Sequence, residues 1–377
     1  MAKVAIEQTN SNSGSDYYDV SHIDKLNCHY NLIFGKRSNG KTYSLLKKII
    51  NRYAESGHQG GYIRRYREDF KGKRGNSLFD ALIANNEISK ATNGKWTTVK
   101  FYSDRWYFAK PDDTDAGRLI SDSTPFCYAF AMAQMEHDKS TSYPNITTVV
   151  FDEFLSKIGY LPDEFVLFMN VLSTIIRQRD NVKIYMLGNT VNKYCPYFQE
   201  MGLKHIEDME QGKIDVYTYG DSKLRVACEW TENHNIEGRK SDVYFAFDNP
   251  NLQMITGGVW ELDLYPHLPR DYETTNIIFK YFIDFNDNKL QCEIIELDDC
   301  IFTYVHRKTG EIKHPERDIV YSTEYDPRPN FIRNMLHSGN DINKKIYKFF
   351  REDRVFYQDN DVGEVVRNYL LFCQKDA

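Results

Sequence analysis

Tyr30-Asn31-Leu32-Ile33-Phe34 is a short, mostly apolar run that leads directly into Gly35-Lys36-Arg37-Ser38-Asn39-Gly40-Lys41-Thr42. The last eight residues match G-x-x-x-x-G-K-[ST], and the helical spacing of Leu45, Ile49 and Tyr53 follows over 42–55. Strand, glycine-bounded turn and helix in that order form a cradle for phosphate. The glycines let the backbone fold round an anion, and successive N–H groups point at it from a helix N-terminus. Lys41 is expected to reach the β- and γ-phosphates, and the Thr42 hydroxyl to sit on Mg²⁺. A plain glycine-containing turn before a helix is the alternative.

The same strand-then-helix alternation extends outward from this stretch. Strands are expected at 61–66, 97–102 and 106–109 (a hairpin), 126–132, 147–151 and 182–187, with a helix over 162–178. Interleaved strands and helices imply an α/β layer with a mostly parallel sheet. Residues 203–256 are polar and irregular, and read as a connecting subdomain. Beyond them a β-hairpin (276–285 and 290–297) and two helices (342–351 and 362–372) indicate a second, smaller α/β or α+β domain. The first twenty residues, MAKVAIEQTNSNSGSDYYDV, lack the apolar core of a secretion signal and read as a short flexible leader.

The strand Thr147-Thr148-Val149-Val150-Phe151 ends in Asp152-Glu153. A carboxylate there sits at the sheet edge that carries the phosphate turn, so Asp152 is expected to support Mg²⁺ and Glu153 to polarise an attacking water. A strand capped by surface acids is the bland reading. Such an acid pair favours hydrolysis over transfer to a small acceptor. A GTPase would need N-K-x-D, and Asn192-Lys193-Tyr194-Cys195 lacks the Asp.

Asn189 follows the next strand, as a sensor of the γ-phosphate or as a turn residue. Arg177 and Arg179 end the preceding helix, either as an arginine finger for a neighbouring subunit or as cationic capping. In Tyr62-Ile63-Arg64-Arg65-Tyr66-Arg67 alternate residues face opposite sides, so Arg64 and Arg65 face apart. One face would contact nucleotide or a phosphate backbone, the other a partner subunit; a solvated basic strand is the alternative. Lys139, in the polar loop 137–144, reads on its own as a surface lysine.

Composition excludes several classes. Of 377 residues, 41% are apolar and 27% charged, with 27 Tyr and 23 Phe, which argues against a disordered chain. No window approaches a membrane span. The seven cysteines lack any C-x-x-C, and the ten histidines form no zinc spacing, so neither a disulfide framework nor structural zinc is expected. The net charge of −6 hides an asymmetry: residues 31–110 carry 17 Lys/Arg against 6 Asp/Glu. Nucleotide phosphates or nucleic acid would answer that excess, as would a solvated face.

NLIFGKRSNGKTYS (31–44), GYIRRYRED (61–69), SYPNITTVVFDEF (142–154), IIRQRDNVKIYMLGN (175–189) and CPYF (195–198) together resemble the DNA-packaging ATPases of phi29-like tailed phages, compact relatives of large-terminase motors. The likeness covers nearly all of 28–202 and partly returns in FYQDNDVGEVVRNYL (356–370). It implies a P-loop ATPase domain of the ASCE type over 1–202 (1–25 the leader), a linker subdomain over 203–256 and an RNase H-like domain over 257–377. It implies a ring, usually of five subunits, at the portal of an empty procapsid in the host cytoplasm, driving double-stranded DNA inward on ATP and Mg²⁺. A packaging RNA is a partner it leaves open; no membrane is involved.

Carried over by the resemblance, Gly35 to Thr42 bind nucleotide, and Thr42 and Asp152 hold the metal. Glu153 activates water, Arg177 is the trans-acting finger, and Lys139 reaches toward the neighbouring nucleotide. Arg64 and Arg65 match a pair that senses nucleotide or couples subunits. The leader and the stretches near 71–94 and 112–123 are longer than the pattern. Asp284, Glu293, Glu296, Asp298 and Asp299 are the acids available for nuclease chemistry, which needs carboxylates converging on two metals. Asp284 lies close to a turn and Asp298–Asp299 read as a solvated turn; the resemblance, to a family that needs no genome cutting, implies a vestigial domain that docks DNA or portal. A helicase-like motor, a P-loop kinase and a nuclease-competent terminase are the rival readings.

Overall fold

The computed structural model describes residues 2–7, 18–35, 39–115, 117–137, 141–156, 160–161, 163–189, 195–203, 206–220, 223–231, 265–268, 271–286, 288–297, 300–336 and 341–375. The chain forms two compact units, Met1–Glu261 and Leu262–Ala377.

In the first unit the apolar runs become strands β1 (Ala2–Glu7), β2 (Tyr30–Phe34), β3 (Gln59–Arg64), β4 (Thr98–Tyr102), β5 (Arg105–Pro111), β6 (Leu119–Ser121), β7 (Cys127–Ala131), β8 (Ile146–Asp152), β9 (Lys183–Gly188), β10 (Lys213–Thr218) and β11 (Arg225–Trp230). They make one sheet in the order β1-β10-β11-β2-β9-β8-β3-β7-β5-β4, with β6 on β5. The six strands from β11 to β7 are all parallel. A parallel sheet is covered on both faces, which is why its strands read as continuous apolar runs. All seven residues of β8 are buried.

One face packs against the helix Glu164–Ile176 and the short helix Pro196–Glu200, the other against Lys41–Ser56. Leu45, Leu46, Ile49 and Ile50 form the buried stripe of Lys41–Ser56, and Gly57 (φ 72°) ends it with its N–H on the Tyr53 carbonyl at 2.9 Å. The 71–94 stretch folds into the short helices Lys73–Ser77, Asp80–Ala84 and Glu87–Ala91. Of the seven cysteines, only Cys300 is exposed, and none is joined in a disulfide.

Two expectations need correction. Residues 213–230 are not an irregular connector: β10 and β11 extend the sheet, and β11 lies parallel beside β2. Buried Asp215 and Glu229 interrupt their apolar pattern and disguise them as polar chain. The leader is not wholly flexible, because Ala2–Glu7 pairs antiparallel with β10 and Tyr18, Val20 and Ile23 are buried apolar anchors. The remainder of the expected connector, 232–256, lies outside the described residues.

In the second unit β12 (Ile277–Phe285), β13 (Asn288–Leu297), β14 (Cys300–Arg307), β15 (Val320–Ser322), β16 (Phe331–Ile332) and β17 (Val355–Tyr357) form a sheet ordered β16-β15-β12-β13-β14-β17. β12, β13 and β14 are antiparallel neighbours, while β15 and β17 add in parallel at either side. The helices Asp341–Arg351 and Asn360–Lys375 accompany it. Among the described residues, no helix is long and apolar enough to cross a membrane.

Candidate active site

The sheet order sets the site. β9 lies between β2 and β8, so the C-terminal ends of β2, β9, β8 and β3 share one edge. Gly35, at φ 143°, leaves β2 with its N–H on the Gly188 carbonyl (3.2 Å), which brings Asn189 beside the phosphate loop. Gly40, at φ 92°, turns the chain into the helix. No acid occupies the first turn of that helix, so the positive end of its dipole is open to an anion. Lys36, Arg37 and Ser38 lie outside the described residues, as does Lys139.

Lys41 is only 3% exposed. Its Nζ donates to the Gly35 carbonyl and to Asn39 Oδ1, both at 3.1 Å. Burial pulls its pKa down to about 8, with the charges of Asp152 and Glu229 opposing the drop. The Thr42 hydroxyl donates to Asp152 Oδ2 at 3.2 Å, so the two expected metal residues meet. Tyr62 donates to the same oxygen at 2.6 Å from β3. Burial first, then the Asp152 charge, keeps the Tyr62 phenol protonated well above its usual range.

Glu153 turns out of β8 at φ 61°, an uncommon conformation for a side-chain-bearing residue, and its side chain is 48% exposed. Arg64 Nη2 donates to Glu153 Oε2 at 2.9 Å, while Nη1 lies 3.7 Å from Asp152 and Nε 3.4 Å from Asp69. A cavity of about 530 Å³ opens beside these groups, lined by Thr42, Tyr62, Arg64, Asp69, Trp106 and Asp152 among others.

Arg65 faces the other way and closes on buried partners. Its Nε donates to both Glu164 oxygens at 3.0 and 2.9 Å, and its Nη groups donate to the Glu153 and Phe154 carbonyls. Tyr197 and the Leu161 N–H complete the set around Glu164. The expectation that Arg65 contacts nucleotide is therefore corrected: it is buried scaffolding beneath the turn that presents Glu153.

The helix Glu164–Ile176 runs from this scaffold to the opposite end of the sheet. There Arg177, exposed and at φ 51°, donates to the Thr141 carbonyl at 2.9 Å. Arg179 performs the capping, donating to the carbonyls of Tyr143, Pro144, Ile146 and Ile175. Sequence reasoning missed Tyr62, Asp69, Glu164, Tyr18, Glu229 and Thr231. The inward-facing position of Tyr62 on β3 was the one available signal.

In the second unit Glu293 is closed off by Tyr272 (2.6 Å), Gln291 (2.6 Å) and Lys280 (3.0 Å). Burial pushes its carboxyl up, but hydrogen bonds from His306, Tyr272, Lys280 and Gln291 outweigh that and hold it well below the usual range. Asp284 stands opposite Lys289 in the hairpin. Asp298 and Asp299 lie outside the described residues. Among those described, no three His, Cys, Asp or Glu gather to hold a metal.

The DNA packaging protein of Bacillus phage B103 is 30% identical over 178 residues, 46% of this chain and 48% of that protein. That of Bacillus phage phi29 is 29% identical over 171 residues, 45% of each. The chain thus spans about half the length of the curated relatives it matches. Two solved structures share the fold at a TM-score of 0.55. "The Phi-28 gp11 DNA packaging Motor" is 15% identical, covering 96% of this chain and 99% of that one. "The bacteriophage Phi-29 viral genome packaging motor assembly" is 19% identical, covering 96% and 100%. The model of the family described as Podovirus DNA encapsidation protein (Gp16) matches residues 13–219, more than half of the chain, and the chain belongs to that family.

Proposed function

We propose that this chain is an ATP-hydrolysing motor that drives double-stranded phage DNA through the portal of an empty procapsid, working as a ring with ATP held between subunits. The meeting of Lys41, Thr42, Asp152 and Glu153 at one sheet edge carries the reading. The hydroxyl of Thr42 and the carboxylate of Asp152 are hard oxygen donors that suit Mg²⁺. When bound, that ion neutralises charge on the β- and γ-phosphates.

Lys41 exchanges the Gly35 carbonyl for the phosphates, a neutral acceptor for charged ones, and keeps its bond to Asn39. Glu153 takes the proton of the attacking water, and Asn189 borders the same site. Here Glu153 is held by Arg64, so hydrolysis requires that pair to part. Arg177 supports the ring reading. Its anchor at Thr141 precedes β8, whose seven residues span roughly 20 Å at about 3.3 Å each, so it cannot serve its own Asp152. A neighbour's nucleotide is within its scope, and Lys139 is assigned to that same side.

The second unit is read as a docking or DNA-contacting domain of RNase H-like type without nuclease activity; the closed environment of Glu293 supports this. The proposed partners are the portal, duplex DNA and further copies of the chain, in a ring of five. A packaging RNA stays an open partner, and the site of action is the portal vertex in the host cytoplasm.

Steady-state ATP hydrolysis with and without long duplex DNA tests the reading. DNA should stimulate turnover, and Glu153→Gln and Arg177→Ala should each bind ATP without hydrolysing it. Turnover that ignores DNA and survives loss of Arg177 would remove the ring motor and favour a kinase or switch.

A further inference from the structure

The end of β11 is built into the phosphate loop. Thr231 donates its N–H to the Phe34 carbonyl (2.9 Å), and its own carbonyl accepts from Gln211 Nε2 (3.1 Å). Its hydroxyl accepts from Asn39 Nδ2 at 3.0 Å. The approach is so close that a Cβ on Gly35 would stand 2.3 Å from that hydroxyl. Two residues earlier, Glu229 is 1% exposed, accepts from the Tyr18 hydroxyl (2.7 Å) and pairs with His22 Nε2 (2.7 Å). The Tyr18 N–H in turn donates to the Asn39 carbonyl at 2.8 Å.

Asn39 is the point where these contacts meet. A lysine ammonium has no acceptor, so the Asn39 amide must turn its oxygen toward Lys41 and its NH₂ toward Thr231. The backbone of Asn39 is held from the opposite direction by Tyr18. Both ends of one loop residue are thus set by segments far away in sequence, and that residue holds the buried lysine.

We propose that Thr231, together with Glu229 acting through Tyr18, positions the phosphate loop by locking Asn39 against Lys41 before nucleotide arrives. The inference rests on the nucleotide-binding reading above. Neither Thr231 nor Glu229 touches reacting atoms, so both act on affinity through pre-organisation of the loop. A hydroxyl is required at position 231; the shape of the side chain is secondary.

The test compares wild type, Thr231→Val and Thr231→Ser by equilibrium titration with a slowly hydrolysed ATP analogue and Mg²⁺, alongside turnover at saturating ATP and thermal melting. Loss of one hydrogen bond should weaken analogue binding about fivefold in Thr231→Val. Turnover at saturation should stay within about twofold, and Thr231→Ser should restore the affinity. Tyr18→Phe, which cuts the link to Glu229 and keeps the backbone bond, should weaken binding in the same direction.

Wild-type affinity in Thr231→Val overturns the proposal. So does a serine variant no better than valine, or a lower melting temperature with unchanged affinity in the folded fraction. A wild-type chain that fails to bind the analogue removes the nucleotide reading itself, which separates the two failures.

Discussion

Replacing Arg65 by alanine removes the cation paired with Glu164, whose side chain is fully buried while that of Arg65 is 8% exposed. The carboxylate would keep Tyr197 and the Leu161 N–H, both neutral donors. Breaking such a buried pair from one side costs about 3–5 kcal/mol, because a charge is left without a counter-charge in a medium that solvates it poorly. For a unit of this size each kcal/mol shifts melting by about 2–4 °C, so a fall of about 10 °C is expected by circular dichroism at neutral pH. A second effect is catalytic. Arg65 also holds the Glu153 and Phe154 carbonyls, and Glu153 sits at φ 61°. Freed of that hold, the Glu153 turn relaxes, so turnover should drop at least tenfold while ATP-analogue affinity changes less than about threefold. The apolar pair Arg65→Met with Glu164→Leu separates the two effects. It should recover most of the lost stability, as replacement of a buried ion pair by well-packed apolar groups commonly does. It should not recover turnover. A melting shift under 2 °C in Arg65→Ala, or full turnover in the double variant, would refute the scaffold role.

Further outcomes follow from other contacts. Burial alone would lower the pKa of His22, but its pairing with Glu229 raises it above the ordinary value of 6.5. A raised folded-state value means the contribution is complete below about pH 6.5 and is lost as pH rises through the folded value. Melting temperature should therefore fall more between pH 6 and pH 8.5 in wild type than in His22→Gln; equal slopes would exclude the pair as the cause. A Cβ on Gly60 would stand 2.6 Å from Ile49 Cγ2 in the helix that carries Lys41. Gly60→Ala should cost about 1–3 kcal/mol by overpacking, and Ile49→Ala in the same chain should return part of that; simple additivity in chemical denaturation would contradict the clash.

Local signals in the chain were enough to find the elements that build the candidate site. β2, the phosphate loop and the helix Lys41–Ser56 are contiguous, and β8 ends in its acid pair, so strand periodicity and glycine placement reveal them directly. The hairpin of β4 and β5 and the two C-terminal helices are legible for the same reason. Tertiary structure alone decided the rest. Arg64 and Arg65 are neighbours in sequence, yet successive residues of an extended chain face opposite sides. One therefore pairs with Glu153 and the other with Glu164, 99 positions away. β10 and β11 were hidden because Asp215 and Glu229 look like solvated residues until the sheet buries them. Tyr18 reaches Glu229 across 211 positions, and Asn39 reaches Thr231 across 192. A buried polar group must find its partner wherever the fold brings one near. That choice is made by strand order, and no periodicity in the sequence records strand order.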